Sequence, residues 1–475
     1  MSMSEALTKA LPLLAALESR GFEAVFVGGC VRDTLLGRPL KDVDIATSAS
    51  PEDVIAAFPH TIPTGLQHGT VTVVHDGDTY EITTFRTESA YEGFRRPSEV
   101  RFVTELKEDL LRRDFTINAM AMRSDGTMVD PFGGRRDLGR GILRCVGDAD
   151  ARLQEDALRI VRAVRFAAAY DLRIAPGTWR AIRRHRALLA HIAMERIGLE
   201  FDKMIGGRHP ERAGALLASS GLLAHTKELL PEAISSAAAA YAALNAGRSS
   251  EAGEPLARGI RGLAGLADAE DRWAALCALL GLGADEAAKL FGTLRYATAR
   301  GERLSVVLGV HGAMAEQAGR DLTALADQPV AAENAALAAR LREDTRRSWI
   351  LAALRHGQTA ALAWAGIVGR VPDLIAADIH AAERQHAVLG PYLQALEAAV
   401  RGMPAGAVRD LAVKGKELLA LADRPSGPWL GRLLHSLLEA AALGAVPNEK
   451  AALLAEAAAR LAQEDRPHET RGDHS

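Results

Sequence analysis

Near residue 150 the sequence changes its periodicity, and that change limits the fold more than any other feature. Up to about 145, short apolar runs and alternating stretches predict strands: "AVFVGG" is a buried strand ending in glycines. "GTVTVVHDGDTYEITTFR" alternates on both sides of Asp76-Gly77, the pattern of a hairpin. "VRDTLLG" and "SPEDVIAAF" predict helices, the second with Ser50 as N-cap and Pro51 in its first turn. From about Asp150 onward strand signals almost vanish, and alanine, leucine, arginine and glutamate recur at helical spacing. Breaks at "IAPG", "GGRHPER", "NAGRSSEAGEP", "GLG", "RGMPAG", "DRPSGPW" and "AVPN" divide this part into a string of helices without a fixed repeat. A mixed α/β or α+β head followed by helices is the architecture this pattern allows.

The chain of 475 residues exceeds one typical domain. Its three cysteines, Cys30, Cys145 and Cys277, are far apart with no CxxC spacing, which argues against a disulfide framework or a zinc site. No apolar run approaches the roughly 18 residues of a membrane span, and the start is an amphipathic helix, not a signal peptide. A cytoplasmic location is therefore expected, and the oligomeric state is left open. The polar end, "QEDRPHETRGDHS", has the composition of a disordered tail.

Chemistry concentrates in "GGCVRDTLLGRPLKDVDIATSA", residues 28–49. Residues i and i+2 of a strand share a face, so Asp42 and Asp44 project together. Two adjacent carboxylates repel unless a cation lies between them, and hard oxygen ligands with room for substrate phosphates suit Mg²⁺. Gly28 and Gly29 end the buried strand and open a helix, a turn whose N–H groups suit a triphosphate, and Arg32 adds a charge-assisted fork. A third acid, Glu81 in "TYEITTF", would complete a three-carboxylate site if its strand paired beside the first acids. Each element alone is commonplace: an isolated DxD is more often two exposed acids. Their order and spacing make the combination specific.

This stretch resembles the signature of nucleotidyltransferases related to DNA polymerase β, and in detail the class II branch that holds the bacterial CCA-adding tRNA nucleotidyltransferases and poly(A) polymerases. "LLRRDFTINAMAM", "DPFGGRRDL" and "EDALRIVRAVRFAA" resemble the family's further motifs, and "ERIGLEFDKMI" a looser fifth. The resemblance is dense over residues 20–215 and thinner beyond. It implies an α+β polymerase-β-like nucleotidyltransferase head (1–148), then an all-α region of neck (149–230), body (231–385) and tail (386–462), with 463–475 disordered. It also implies addition of CCA to tRNA from CTP and ATP, with Mg²⁺ on Asp42 and Asp44 and with Glu81 in support.

"EDALRIVRAVRFAA" places Asp156, Arg159, Arg162 and Arg165 three residues apart, a polar ridge if all lie on one helix. Cytosine and adenine both present an amino donor beside a ring-nitrogen acceptor, whereas uracil and guanine present an acceptor beside a ring N–H. One carboxylate beside one guanidinium therefore matches C and A and mismatches U and G. The resemblance assigns that role to Asp156 and Arg159, and nucleotide holding to Arg162, Arg165 and Arg113. Asp114 and Asn118 are expected to fix local turns and the sugar environment.

Between Arg159 and Arg212 there are 12 Lys/Arg against 5 Asp/Glu, a surface suited to RNA phosphates. Aromatic residues are sparse, so a folded duplex read by shape fits better than a stacking groove. Against poly(A) polymerase stands the absence of a basic "GRRF"-like stretch where this chain has "TGLQHGTVTVV". Against a CC-only enzyme stands the 87–97 loop of "TESAYEGFRRP", although Ser89, Ala90 and Gly93 depart from the family's pattern there. The intact Asp42/Asp44 pair speaks against a non-catalytic RNA-binding protein, and the His-Asp pair of "VHDGD" lies in a hairpin turn, not in a helical metal site.

Overall fold

The computed structural model describes residues 3–88, 91–92, 96–97, 100–248, 253–326, 341–375, 379–422 and 424–464. The chain divides into two compact units, Met1–Arg248 with Thr293–Arg295, and Ser249–Gly292 with Tyr296–Ser475. The first contains the mixed region and the first helices after it.

A seven-stranded mixed sheet forms the frame of this unit. Strand β1 (Ala24–Val27) lies in its interior, flanked on one side by the short strands Ala121–Met122 and Met128–Val129. On the other side follow β2 (Asp44–Thr47), β5 (Asp78–Thr84), β4 (Thr70–His75) and β3 (Thr61–Gly65). Every neighbouring pair is antiparallel except β2 and β5, which run parallel and set Asp44 abreast of Glu81. All four residues of β1 are buried, as an unbroken apolar run requires of an interior strand. Val25, Val27, Ala46, Phe85 and Leu110 pack into one core beneath the sheet.

The local signals hold. Asp76 and Gly77 both have positive φ, the conformation that lets a two-residue turn join twisted strands β4 and β5. Ser50 caps the helix Pro51–Ala57 in a capping box with Asp53. One short strand appears after residue 150, where none was expected: Arg173–Ile174 pairs in parallel with Ile142–Leu143. The three cysteines are free and buried.

The hairpin after Phe85 begins with Arg86–Glu88 paired to Val100–Phe102. The loop residues Ser89, Ala90 and Gly93 lie outside the described residues. The same holds for the polar end from residue 465, although the last helix, Lys450–Glu464, runs past the expected start of the tail.

The second unit is helical throughout its described residues. Trp349, Trp364 and Tyr392 are its largest fully buried side chains. Asp321, also buried, accepts hydrogen bonds from Thr345 (2.5 Å), Gln317 (3.0 Å) and Tyr392 (3.2 Å), which join three of its helices. A further core around Leu418, Leu437 and Leu453 closes the helices Gly415–Ala422, Pro428–Ala442 and Lys450–Glu464.

Candidate active site

A cleft of about 680 Å³ opens in the first unit. Its wall holds Gly28, Gly29, Arg32, Asp42, Asp44, Arg113, Asp156, Arg159, Arg162 and Arg165, residues up to 137 positions apart in the sequence. Of the predicted site residues only Glu81 is missing from it, exposed on β5 beside Asp44.

At the strand end the backbone turns through Gly28 at φ +72° into the helix Gly29–Leu35. A β-carbon on Gly28 would lie 3.0 Å from Arg113 Nη1 and 3.9 Å from Asp44 Oδ2. Glycine is therefore required twice, for its left-handed conformation and for the close approach of a guanidinium. Asp44 opens β2, while Asp42 lies two residues before that strand and is exposed. Burial pushes the Asp44 carboxyl above its usual range. Glu81 and Asp42 push it the same way, against Arg113 and Arg32.

Among the described residues no three of His, Cys, Asp and Glu converge closely enough to hold a metal by themselves. The parallel register brings Glu81 alongside Asp44, but its side chain stands in solvent outside the cleft wall. Two hard carboxylates, one of them strained by burial and like charge, still fit a divalent cation that takes its remaining ligands from substrate oxygens.

Behind the acids runs a continuous polar network. Arg32, 5% exposed, donates through Nε and Nη2 to Asp33 at 3.0 and 2.8 Å, and through Nη1 to Asn118 at 2.5 Å. Asn118 donates in turn to Asp114 at 3.0 Å. Asp114 also receives Arg162 Nε and Nη2 at 3.0 and 2.7 Å. Burial alone would raise the Asp114 carboxyl, yet Arg162 and Asn118 bring it down to about 2. Arg162 faces Glu200 at 3.9 Å, and Arg165 is paired with the same carboxylate. The motif "DPFGGRRDL" braces this region, since Asp137 accepts from Thr116 at 2.9 Å.

The single ridge expected of Asp156, Arg159, Arg162 and Arg165 is corrected by the backbone. Asp156 has φ −134° and ψ +105° and ends one helix, Ala149–Glu155, just before the next, Leu158–Ala169. Its carboxylate accepts from Leu158 N at 3.0 Å, as Asp does at helix starts, and from Arg196 Nη2 at 3.1 Å. Arg159, 8% exposed, donates to the backbone carbonyls of Arg152 (3.0 Å) and Arg112 (2.9 Å) and to Glu155 (2.6 Å). Asp156 and Arg159 are thus held separately on the same cleft.

Several contributors escaped sequence reasoning. Phe166 and Tyr170 line the cleft, but their faces carry arginines: Arg32 lies 4.2 Å from the Tyr170 ring centroid, and Arg165 3.9 Å from that of Phe166. Arg196, Glu200 and Lys203 all fall in "ERIGLEFDKMI", whose alternating charges were the available signal.

A mixed sheet that presents paired acids at one strand end, a glycine turn beside them and a wall of buried and half-buried arginines defines a nucleotidyltransferase. Residues 24–144 match the family model "Poly A polymerase head domain", and residues 374–457 match a tRNA nucleotidyltransferase domain 2. The chain belongs to the family of CCA-adding enzymes. It is 39% identical to the CCA-adding enzyme of Geobacillus stearothermophilus over 93% of this chain and 94% of that protein. With that of Geobacillus kaustophilus it shares 35% over 97% and 98%. The crystal structure of the Bacillus stearothermophilus CCA-adding enzyme in complex with CTP superposes with a TM-score of 0.73 at 34% identity, covering 97% of this chain and 99% of that one. Residues 171–234 match a model described as "Probable RNA and SrmB- binding site of polymerase A". Nucleotidyltransferases of this kind depend on a divalent metal. Among the described residues no helix is long and apolar enough to cross a membrane.

Proposed function

We propose that the cleft of the first unit carries out the reaction of the CCA-adding family: stepwise addition of C, C and A to tRNA 3′ ends from CTP and ATP. The tRNA 3′-oxygen attacks the α-phosphorus of the bound nucleotide in line, and pyrophosphate leaves. Asp42 and Asp44 would hold Mg²⁺, which supplies charge stabilisation to the transferring phosphoryl group. Arg32 and Arg113 bind the triphosphate and offset its charge. Arg162 and Arg165 hold the nucleotide against the neck helix. Asp156 accepts from the amino group common to C and A while Arg159 donates to the adjacent ring nitrogen. Glu81, next to Asp44, supports the acidic pair or the 3′-hydroxyl. The basic stretch from Arg159 to Arg212 contacts tRNA phosphates, and the successive helices form neck, body and tail along the tRNA.

The observation that supports this reading is the convergence of ten predicted residues from three separate motifs on one cleft. The test is an incubation of tRNA lacking CCA with CTP alone, ATP alone, or both, with products sized to the nucleotide. Two added residues with CTP and three with both are expected. Only two with both nucleotides would make it a CC-adding enzyme, and long A tracts on unrelated RNA a poly(A) polymerase. Asp44→Ala should lower kcat at least about a hundredfold, given the several kcal/mol such a metal supplies. tRNA binding, measured by filter retention, should stay near normal.

A further inference from the structure

The reaction accounts for most charged groups in and around the cleft, but it leaves out Asp109. This residue lies in the first turn of the short helix Leu106–Leu111, where an acid ordinarily stands in solvent. Here it is 1% exposed. Burying a carboxylate is costly unless partners satisfy it, and Asp109 has three. Its Oδ1 accepts from Arg112 Nε and Nη2 at 2.9 and 2.7 Å and from the backbone N–H of Arg86 at 3.4 Å. Its Oδ2 accepts from Arg113 Nη2 at 3.1 Å.

Each partner leads to a different working part. Arg113 reaches past Asp109 to pack its Nη1 over Gly28, on the same side as Asp44, and its Nε is buried with no hydrogen-bond partner among the described residues. Arg112 closes the helix end, and its carbonyl, one that a helix leaves unsatisfied, receives Arg159 Nη2 at 2.9 Å. Arg86 opens the strand that pairs with Val100–Phe102 at the root of the hairpin.

We infer that Asp109 is the positioning residue that sets Arg113 over the nucleotide cleft and ties it, together with the carbonyl holding Arg159, to the root of the 86–102 hairpin. The inference rests on the reading of Arg113 as a nucleotide-holding residue. Asp109 touches no reacting atom and acts through Arg113. A long guanidinium side chain has many rotamers, and the buried carboxylate selects the one that spans from the helix to Gly28.

Asp109→Asn keeps the shape and removes the charge. In the full-length protein it should raise KM for CTP and for ATP about tenfold, the loss expected of a weakened charge-assisted hydrogen bond, with kcat and the KM for tRNA nearly unchanged. Structural damage would instead lower the active fraction, and so kcat, at unchanged KM. A double-mutant cycle gives the second readout: in an Arg113→Ala background Asp109→Asn should add less than about a twofold effect. Normal nucleotide KM in folded Asp109→Asn, while Arg113→Ala raises it, would overturn the assignment and leave the role of Arg113 standing. Fully additive effects would also overturn it. Unchanged KM in Arg113→Ala would overturn the reading beneath it as well. Should Asp109→Asn not fold, Asp109→Glu retains the charge one methylene further out; it should raise the same two KM values, and normal values would reject the proposal.

Discussion

Single residues in this cleft are defined by what holds them. Asp114 is the clearest case, a buried carboxylate whose value falls to about 2 because Arg162 and Asn118 outweigh the cost of burial. A group depressed in the folded state contributes stability above its unfolded value and loses it as the pH falls through the folded one. The window here runs from near 3.8 down to about 2. The full contribution is roughly 2 kcal/mol. Urea unfolding from pH 5 to pH 2 should show this acid-side loss in the parent protein and less of it in Asp114→Asn; parallel curves would show that the network adds nothing. Arg159 should behave differently. On the proposed reading, Arg159→Ala would leave the triphosphate contacts in place and remove one side of the base-reading pair. Discrimination against UTP and GTP should fall about 10- to 100-fold, the value of an unpaired polar group in a buried site. Competition assays with all four nucleotides check this, and parental selectivity would put base reading elsewhere.

At the scale of elements, the turns position the site more than the strands and helices they join. The break at Asp156 converts one expected ridge into two platforms, a helix end carrying the acid and a helix start carrying the arginines. The turn of "DPFGGRRDL" has a similar burden. Gly134 begins the helix Gly134–Gly139, and a β-carbon there would meet Thr116 O at 2.1 Å and Met120 Cγ at 2.8 Å. That backbone carbonyl belongs to the segment carrying Asn118, so the second and third motifs are pressed together without room for a methyl group. Gly134→Ala should destabilise the protein by about 1–3 kcal/mol, as overpacking does, visible as a lower urea midpoint at unchanged m-value. An unchanged midpoint would mean that the turn relaxes freely.

Across the whole molecule, the two compact units each carry a core of their own, and every residue of the cleft belongs to the first. Ligand binding stabilises the structure that binds it, by about 2.7 kcal/mol at a hundredfold excess over Kd. Hydrogen exchange with saturating CTP should therefore slow in the backbone of Val25–Val27, Asp44–Thr47 and Leu158–Ala169. The helices around Trp349 and Trp364 should exchange as before. Equal protection in both units would show that nucleotide binding is felt throughout the chain.

Local interactions carry the features that the sequence by itself determined. The hairpin turn at Asp76-Gly77, the Ser50 cap, the buried run of β1 and the change to helices near residue 150 each depend on neighbours within a few positions, so composition and spacing suffice to find them. The acidic pair and the arginine series were legible for a related reason, since their chemistry has a characteristic spacing. Contacts between distant segments were decided by tertiary structure alone. The place of Glu81 beside Asp44 follows from a parallel pairing of strands 37 positions apart in register. The pairing of Asp156 with Arg196 crosses 40 positions, and that of Arg32 with Asn118 crosses 86. Burial was equally invisible: nothing in "KEDLLRRDF" distinguishes Asp109, 1% exposed, from Glu108 beside it, which is exposed. A carboxylate is committed to one partner only when water is excluded, and which carboxylates lose their water is settled by how the chain closes over them.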